Sequence, residues 1–254
     1  MKIISYRLNN ASSYGVLVNN ELYSLPENQS GLPPTMNAFL ALEESGMEMA
    51  RQTAQQIEAG TLVAKSVNNY EILAPVPHPT SCRQHVEAAR KNRGVEMIPE
   101  FDQYPIFYFT NHQAVEGPGP VYCMPDHFEQ LDFELEIAIV IGKKGRNIKA
   151  SEADAYIAGF TIMNDMSARK LQMEEMLLNL GPAKGKDFST VIGPWLVTPD
   201  ELAQKVAPTK AGHVGLNYNL EMKCYVNDIL VSSGNVKDMD WTFAEIIERC
   251  SYGV

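Results

Sequence analysis

The first 25 residues alternate between hydrophobic and polar positions in short runs. Asn-Asn pairs at positions 9–10 and 19–20, which are turn signals, interrupt these runs. The pattern predicts a small antiparallel unit of two or three strands between Ile3 and Leu25.

A helical composition replaces this alternation from Met36 to Ala59. We expect a break at Ser45-Gly46 and a helix end at Gly60, because glycine interrupts or stops helices. Prolines then stand at positions 75, 77 and 79, and alternating prolines favour an extended, stiff linker. We therefore predict a small N-terminal domain over residues 1–72 and a second domain over residues 73–254.

The chain beyond this linker is rich in predicted strands. These strands are expected over Pro105–Phe109, Leu135–Gly142, Tyr156–Asn164 and Val191–Thr198. The alternation from Leu216 to Val226, followed by Asn227-Asp228 and another apolar run, predicts a β-hairpin.

Three helices are predicted in the same part of the chain. A capping-box pattern opens a short helix at Ser151. A longer helix is expected over Ser167–Gly181, with Leu171, Met176, Leu177 and Leu180 on one face. The last helix begins at about Trp241 and has Phe243, Ile246, Ile247 and Cys250 on one face.

The composition is that of an acidic, soluble globular protein. The hydrophobic fraction is 45%, the formal net charge is −10 and the pI is about 5.0. An acidic surface repels phosphate backbones, so we expect no nucleic-acid partner. We also expect a cytoplasmic protein without a membrane partner, since no apolar run approaches the ~20 residues of a membrane span and the N-terminus turns polar too soon for a signal peptide. The four cysteines form no C-x-x-C pair and are interpreted as free thiols.

Three acidic residues occupy one face of a predicted strand. Asp132, Glu134 and Glu136 alternate in LDFELEIAIVIG, so a strand points all three the same way. Like charges on a buried strand are costly unless a cation compensates them. Oxygen ligands without cysteine or histidine suit Mg²⁺, Mn²⁺ or Ca²⁺. A solvated strand face explains the same pattern without a metal.

Asp165 is the candidate for a third metal ligand. It follows an apolar strand and precedes a predicted helix, and strand ends are where loops present functional groups. The alternative is that Asp165 or Ser167 only caps the helix. Spacing alone leaves both explanations open.

Three motifs together resemble the fumarylacetoacetate hydrolase family. They are DFELEIAIVIG, AGFTIMNDMSARKLQ and GPAKGKDFSTVIGPWLVT, in this order. The resemblance implies an α+β, β-rich fold: a mixed β-roll or pseudo-barrel catalytic domain with a small N-terminal α/β domain. It also implies a homodimer and a bound divalent metal, usually Mg²⁺.

The resemblance implies roles for seven residues. The metal ligands would be Glu134, Glu136 and Asp165, the substrate-binding residues Arg169 and Gln172, and the catalytic residues His85 and Lys186.

The implied activity is metal-dependent hydrolysis of a carbon–carbon bond in a small 1,3-dicarbonyl acid, such as an acylpyruvate or fumarylacetoacetate. The metal would stabilise the enolate, and His85 would take a proton from the attacking water. The expected partner is a small anionic keto acid. The same enolate chemistry serves oxaloacetate decarboxylation, 2-keto acid hydration and isomerisation, and a non-catalytic binding protein of the same fold is a further alternative.

Two features depart from the family pattern. Some members have an additional aspartate ligand shortly before the histidine, whereas this chain reads HPTSCRQH, so we expect three carboxylates plus waters. The family normally continues beyond the last helix through a strand and a Gly/Thr-rich loop, whereas this sequence stops at YGV. We therefore expect the C-terminal end of the catalytic domain to be incomplete.

Overall fold

The secondary structure mixes strands and short helices. The computed structural model describes residues 1–75, 103–178 and 181–254. The strands are β1 Lys2–Leu8, β2 Ala11–Val18, β3 Glu21–Ser24, β4 Ser66–Val67, β5 Glu71–Ile72, β6 Val115–Glu116, β7 Leu131–Asp132, β8 Leu135–Ile141, β9 Ile157–Asp165, β10 Ser167–Ala168, β11 Thr190–Val197, β12 Val206–Ala207, β13 Asn217–Tyr218, β14 Glu221–Val226 and β15 Ile229–Asn235. The α-helices are α1 Leu25–Asn28, α2 Met36–Leu40, α3 Glu43–Glu58, α4 Ala150–Ala153, α5 Arg169–Met176 and α6 Phe243–Ser251. His85 lies outside the described residues.

The largest sheet has nine strands and draws on both sides of residue 72. Its main order is β4-β3-β2-β1-β11-β9-β8, with β5 paired to β1 and β6 paired to β11. β1 and β11 are antiparallel, and Ile3 lies opposite Leu196. β11 and β9 are also antiparallel, and Thr190 lies opposite Asp165. The sheet-rich α+β fold class is confirmed, and among the described strands this sheet is not closed into a barrel.

The described residues form two compact units built from interleaved segments. One contains residues 1–75, 110–143, 158–178 and 181–201, and the other contains residues 103–109, 144–157 and 202–254. The boundary near residue 72 stays a prediction.

Tight asparagine turns order the first three strands. β1, β2 and β3 pair antiparallel in sequence order. The two Asn-Asn pairs all adopt positive φ, between 49° and 66°. Asparagine tolerates this conformation, and two successive residues with positive φ match the twist of a hairpin. The predicted antiparallel unit is therefore confirmed.

The main hydrophobic core of the first unit packs this sheet against α1, α2 and α3. Tyr14, Phe39 and Leu196 are fully buried members of it. The Tyr14 and Phe39 rings contact each other with centroids 5.0 Å apart, and the Tyr14 hydroxyl donates to the Pro33 carbonyl at 2.8 Å. Each such side chain contributes about 2–3 kcal/mol by leaving water.

The predicted helix break at Ser45-Gly46 is wrong. α2 ends at Leu40 and α3 begins at Glu43, so Gly46 lies inside α3. A Cβ added at Gly46 would lie 2.9 Å from Leu42 Cβ and 3.0 Å from the Phe39 carbonyl oxygen. The absence of a side chain at Gly46 allows α2 and α3 to pack closely. Gly60, with a φ of 69°, follows the end of α3 as predicted.

Three strands, the hairpin and the last helix of the second part are confirmed. β8, β9 and β11 match the predicted ranges within one residue at each end. β14 and β15 form the hairpin, and its turn residues Asn227 and Asp228 have positive φ. α6 begins after a capping box formed by Thr242 and Glu245, and it buries Phe243 with both isoleucines of its predicted apolar face.

Three local predictions are wrong. Residues 105–109 form no strand, and Phe109 is 88% exposed, because no neighbouring strand among the described residues pairs with this segment. The short helix is present as α4, but the predicted capping by Ser151 is wrong, because Ser151 lies inside the helix and Lys149 is its N-cap residue. The helix expected over residues 167–181 is confined to α5, since Ser167 and Ala168 pair with β7 instead. Its apolar face is not a core face, because Leu177 is 81% exposed.

In the part of the chain that the structure describes, every helix is too short or too polar to cross a membrane.

The packing at Gly46 predicts an inverted response to alanine. In an unhindered helix, Gly→Ala stabilises by about 1 kcal/mol. We expect Gly46→Ala to lower the free energy of unfolding by about 1–2 kcal/mol, because the new methyl group overpacks the contact with Phe39 and Leu42. Urea unfolding measures this. Gln55→Ala on the exposed side of α3 is the control, expected within about 0.5 kcal/mol of wild type; a stabilising Gly46→Ala would contradict the packing argument.

Candidate metal and substrate site

Three buried carboxylates meet where β8 begins and β9 ends. Glu134 immediately precedes β8, Glu136 lies inside it, and Asp165 is the last residue of β9. The Asp165 N–H donates to the Glu134 carbonyl at 3.2 Å. One oxygen from each carboxylate can be chosen so that all three lie within 4.8 Å of one another. The structure thus brings together the three predicted metal ligands.

Asp132 does not join this group. The strand predicted over LDFELEIAIVIG is interrupted, because β7 ends at Asp132 and β8 begins at Leu135. β7 pairs with β10, opposite Ser167. The Asp132 carboxylate instead accepts a hydrogen bond from Arg169 Nε at 2.7 Å.

Lys186 supplies a buried positive charge to the cluster. Its Nζ lies 2.6 Å from Glu134 Oε1 and 2.9 Å from Asp165 Oδ2. The residue is only 3% exposed. A buried ammonium needs such partners, since unpaired burial of a charge is costly. Lys186 therefore lies beside two of the three predicted metal ligands.

Arg169 and Gln172 lie one helical turn apart on α5 and contact each other. Arg169 Nη1 donates to Glu134 Oε1 at 2.6 Å and to Gln172 Oε1 at 2.9 Å. Ser167 Oγ adds a weak hydrogen bond to Glu134 Oε1 at 3.4 Å. From the sequence alone, Ser167 is only a possible helix cap. Arg169, Lys186 and Ser167 therefore all approach the same oxygen of Glu134.

Among the described residues, Glu136 is the carboxylate of the cluster that has no hydrogen-bond donor. It is buried, and neither carboxylate oxygen receives a hydrogen bond from an amine, amide or hydroxyl group of the described residues. Burial raises the pKa of Glu136 well above its ordinary value, and the negative charges of Asp165 and Glu134 raise it further. A buried acceptor left in this way costs about 1–3 kcal/mol.

The charges of the cluster fit a divalent cation. When ionised, Asp132, Glu134, Glu136 and Asp165 carry four negative charges, and Arg169 and Lys186 carry two positive ones. Two negative charges then remain on the cluster as a whole. A set of three oxygen ligands without sulfur or imidazole suits Mg²⁺, Mn²⁺ or Ca²⁺. Six of the seven predicted site residues thus lie together, and their roles stay predictions.

Comparison with known proteins agrees with these motifs. Residues 79–254 match the sequence profile described as fumarylacetoacetate (FAA) hydrolase C-terminal. The chain is 33% identical over 226 residues to a human protein named oxaloacetate tautomerase FAHD2A, mitochondrial, covering 85% of this chain and 63% of that protein. It is 27% identical over 257 residues to a fumarylacetoacetate hydrolase domain-containing protein 2 homolog of Dictyostelium discoideum, covering 99% of this chain and 81% of that protein. The chain therefore spans less than two thirds of the human relative.

Solved structures show the same fold at low identity. A fumarylacetoacetate hydrolase (EaFAH) from Exiguobacterium antarcticum superposes with a TM-score of 0.68 at 22% identity, covering 100% of this chain and 82% of that one. A maleylpyruvate hydrolase from a Sphingobium species, in complex with manganese(II) ion and pyruvate, gives a TM-score of 0.66 at 19% identity, covering 99% of this chain and 83% of that one.

The state of Glu136 predicts opposite effects of one substitution on stability and on metal binding. Glu136→Gln replaces a carboxylate whose ionisation is opposed by burial with a neutral amide that offers N–H donors to the two neighbouring carboxylates. We expect the free energy of unfolding without metal to rise by on the order of 1 kcal/mol, measured by urea unfolding in chelator. We expect Mn²⁺ affinity, measured by calorimetry, to fall by more than about 100-fold, since even indirect ligand partners contribute 10- to 100-fold.

Glu129→Gln is the matched control for this prediction. Glu129 is an exposed carboxylate paired with Lys170, so its loss should leave Mn²⁺ affinity unchanged. If Glu136→Gln binds Mn²⁺ as wild type does, Glu136 is not a metal ligand.

Proposed function

Because this chain belongs to the fumarylacetoacetate hydrolase family, we propose that it is a divalent-metal-dependent enzyme that interconverts the enol and keto forms of a small 2-keto dicarboxylic acid such as oxaloacetate. The observation that carries the proposal is the buried Glu136, which has no hydrogen-bond donor among the described residues and lies within a cluster of net negative charge. The human and rat relatives named oxaloacetate tautomerase, each 33% identical, support this substrate class.

The three carboxylates Glu134, Glu136 and Asp165 would hold the cation. A bound divalent cation acts as a Lewis acid that stabilises negative charge on the keto oxygen of the substrate. The carboxylates would hold it where β8 begins and β9 ends, inside the protein, where electrostatic interactions are stronger than in water.

Lys186 is the cluster cation suited to moving a proton. The guanidinium of Arg169 stays protonated, whereas an ammonium can give up a proton and take it back. Two of the three Lys186 donors are directed at Glu134 and Asp165, which leaves a third for the substrate. Lys186 would give a proton to the oxygen on C2 when the enol forms and take it back when the keto form is restored.

Arg169 and Gln172 would bind a carboxylate of the substrate. Arg169 Nε and Nη1 are held by Asp132, Glu134 and Gln172, so the guanidinium is fixed while its Nη2 donors can bind an anion. Gln172 accepts from Arg169 through Oε1, so its amide N–H groups remain for the same carboxylate. The base that exchanges the proton on C3 is expected to be His85, which lies outside the described residues.

The carbon–carbon hydrolysis expected from the sequence stays a prediction, as do decarboxylation and a non-catalytic binding role. Magnesium as the metal, the homodimer, the absence of nucleic-acid and membrane partners and the cytoplasmic location also stay predictions. The human and rat relatives have the word mitochondrial in their names.

Two lysines of one loop provide a direct test of this proposal. Lys186→Met should lower the metal-dependent rate of enol–keto conversion of oxaloacetate by at least about 100-fold, the usual contribution of a proton-transfer group. Lys184→Met should leave the rate unchanged, because that side chain is 72% exposed and pairs with Asp187. Ultraviolet absorbance of the enol follows the reaction on the full chain loaded with Mn²⁺ or Mg²⁺.

The same samples are tested with acylpyruvates and fumarylacetoacetate. Cleavage of these compounds without any effect on oxaloacetate would replace tautomerisation by hydrolysis. Metal-loaded wild-type protein that accelerates neither reaction would overturn the enzyme proposal, and equal rates in wild type and Lys186→Met would remove Lys186 from the mechanism.

A further inference from the structure

One carboxylate outside the cluster binds three consecutive backbone N–H groups. We call residues 181–189 the lysine loop, since Lys186 lies in it. Glu175 Oε2 accepts from the N–H groups of Ala183 at 2.9 Å and Gly185 at 3.1 Å, and Oε1 accepts from that of Lys184 at 2.6 Å. Successive N–H groups that converge in this way form an anion-binding concavity. Here a side chain of α5 fills it.

The loop transmits this contact to the backbone of Lys186. The carbonyl oxygen of Ala183 accepts from the N–H groups of Lys186 at 3.0 Å and Asp187 at 2.9 Å. Ala183 therefore links the two groups: its N–H donates to Glu175, and its carbonyl oxygen accepts from the backbone N–H of Lys186.

The loop is pressed against the helix that carries the substrate-binding residues. A Cβ added at Gly185 would lie 2.6 Å from the backbone nitrogen of Gln172, so only glycine allows the loop to approach α5 this closely. The Gly185 carbonyl accepts from the N–H of Ala168 at 2.9 Å, just before α5 begins. Arg169, Gln172 and Glu175 follow one another at three-residue intervals along α5, so neighbouring turns of one helix contact the cluster and the loop.

The electrostatics keep Glu175 charged. Partial burial raises its pKa, but the hydrogen bonds from the N–H groups of Ala183, Gly185 and Lys184 outweigh this and leave the pKa below its ordinary value. Hydrogen bonds to an ionised acceptor are roughly twice as strong as neutral ones. The carboxylate therefore fixes the loop throughout the neutral pH range.

We propose that Glu175 is a positioning residue that places the Lys186 ammonium between Glu134 and Asp165 by binding the backbone of the lysine loop. It acts through the lysine and touches neither the metal ligands nor the substrate. The catalytic part of this inference rests on the proposed function, whereas the placement of the loop does not.

The test compares Glu175→Gln and Glu175→Ala with the control Glu174→Ala, whose side chain is the exposed neighbour on α5. Hydrogen exchange reports on the amides of residues 183–185. Calorimetry gives the affinity for Mn²⁺ and, on the Mn²⁺-loaded full chain, for oxalate, an unreactive dianion shaped like a planar 2-keto acid. Each Glu175 substitution is also made in the Lys186→Met background.

We expect exchange of the three amides to accelerate at least about tenfold in Glu175→Ala and less in Glu175→Gln, whose amide oxygen can still accept. Mn²⁺ affinity should stay within about twofold, because the three ligands are untouched. With Lys186 present, the Glu175 substitutions should lower oxalate affinity and the kcat for oxaloacetate about tenfold each. In the Lys186→Met background the same substitutions should not lower oxalate affinity further, because the effects of coupled residues are non-additive. Glu174→Ala should change none of these quantities.

Equal losses of oxalate affinity in both backgrounds would show that Glu175 does not act through Lys186 and would overturn the proposal. Unchanged exchange of residues 183–185 in Glu175→Ala would overturn it as well. If wild type turns over no oxaloacetate but the exchange and oxalate results hold, the proposed function fails while the positioning role stands.

Discussion

Repulsion among buried carboxylates is the constraint on which the site depends. Glu134, Glu136 and Asp165 are each less than 10% exposed. Lys186 and Arg169 oppose part of this charge, but their ion pairs are with Asp132, Glu134 and Asp165 rather than with Glu136. Among the described residues, the protein's own cations therefore leave Glu136 without an ion pair, and its charge is the one that a divalent cation would oppose.

The register of the large sheet converts this local balance into a defined geometry. Asp165 lies opposite Thr190, the first residue of β11, and the lysine loop leads directly into that strand. The strand that follows Lys186 is thus hydrogen-bonded to the strand that ends in the predicted metal ligand Asp165. A one-residue slip of this register would turn Asp165 away from the cluster, because strand side chains alternate between faces.

The sequence predicts those parts of the structure that depend on neighbouring residues. The Asn-Asn turns, the capping box of Thr242 and the ends of β9 follow from local chemistry, and so does the two-residue spacing of Glu134 and Glu136. The family motifs then add Arg169, Gln172 and Lys186.

The features that the sequence does not predict depend on pairing between distant segments. Ser167 joins β7 instead of the helix, and residues 105–109 remain unpaired although their composition suits a strand.

Glu175 belongs to the same group of unpredicted features. Its hydrogen-bond partners are eight to ten residues further along the chain. The glutamate-rich sequence around it in α5 is typical of a solvated helix face. The predicted helix break at Gly46 is the opposite kind of error. Glycine is locally a helix breaker, but here tertiary packing against Phe39 and Leu42 keeps Gly46 inside α3. Local signals therefore identify the chemistry of this site, whereas its support has to be read from contacts across the fold.

The pairing of β1 with β11 has a consequence for dissecting the protein. Ile3 and Leu196 face each other at this seam and are both fully inaccessible to solvent. A shortened chain that starts at residue 73 would lose β1 and uncover backbone donors and acceptors at the end of β11, together with a patch of core leucine. Such an edge is a template on which a second chain can add a strand. We therefore expect a chain without the first segment to self-associate through β11, the strand that follows Lys186.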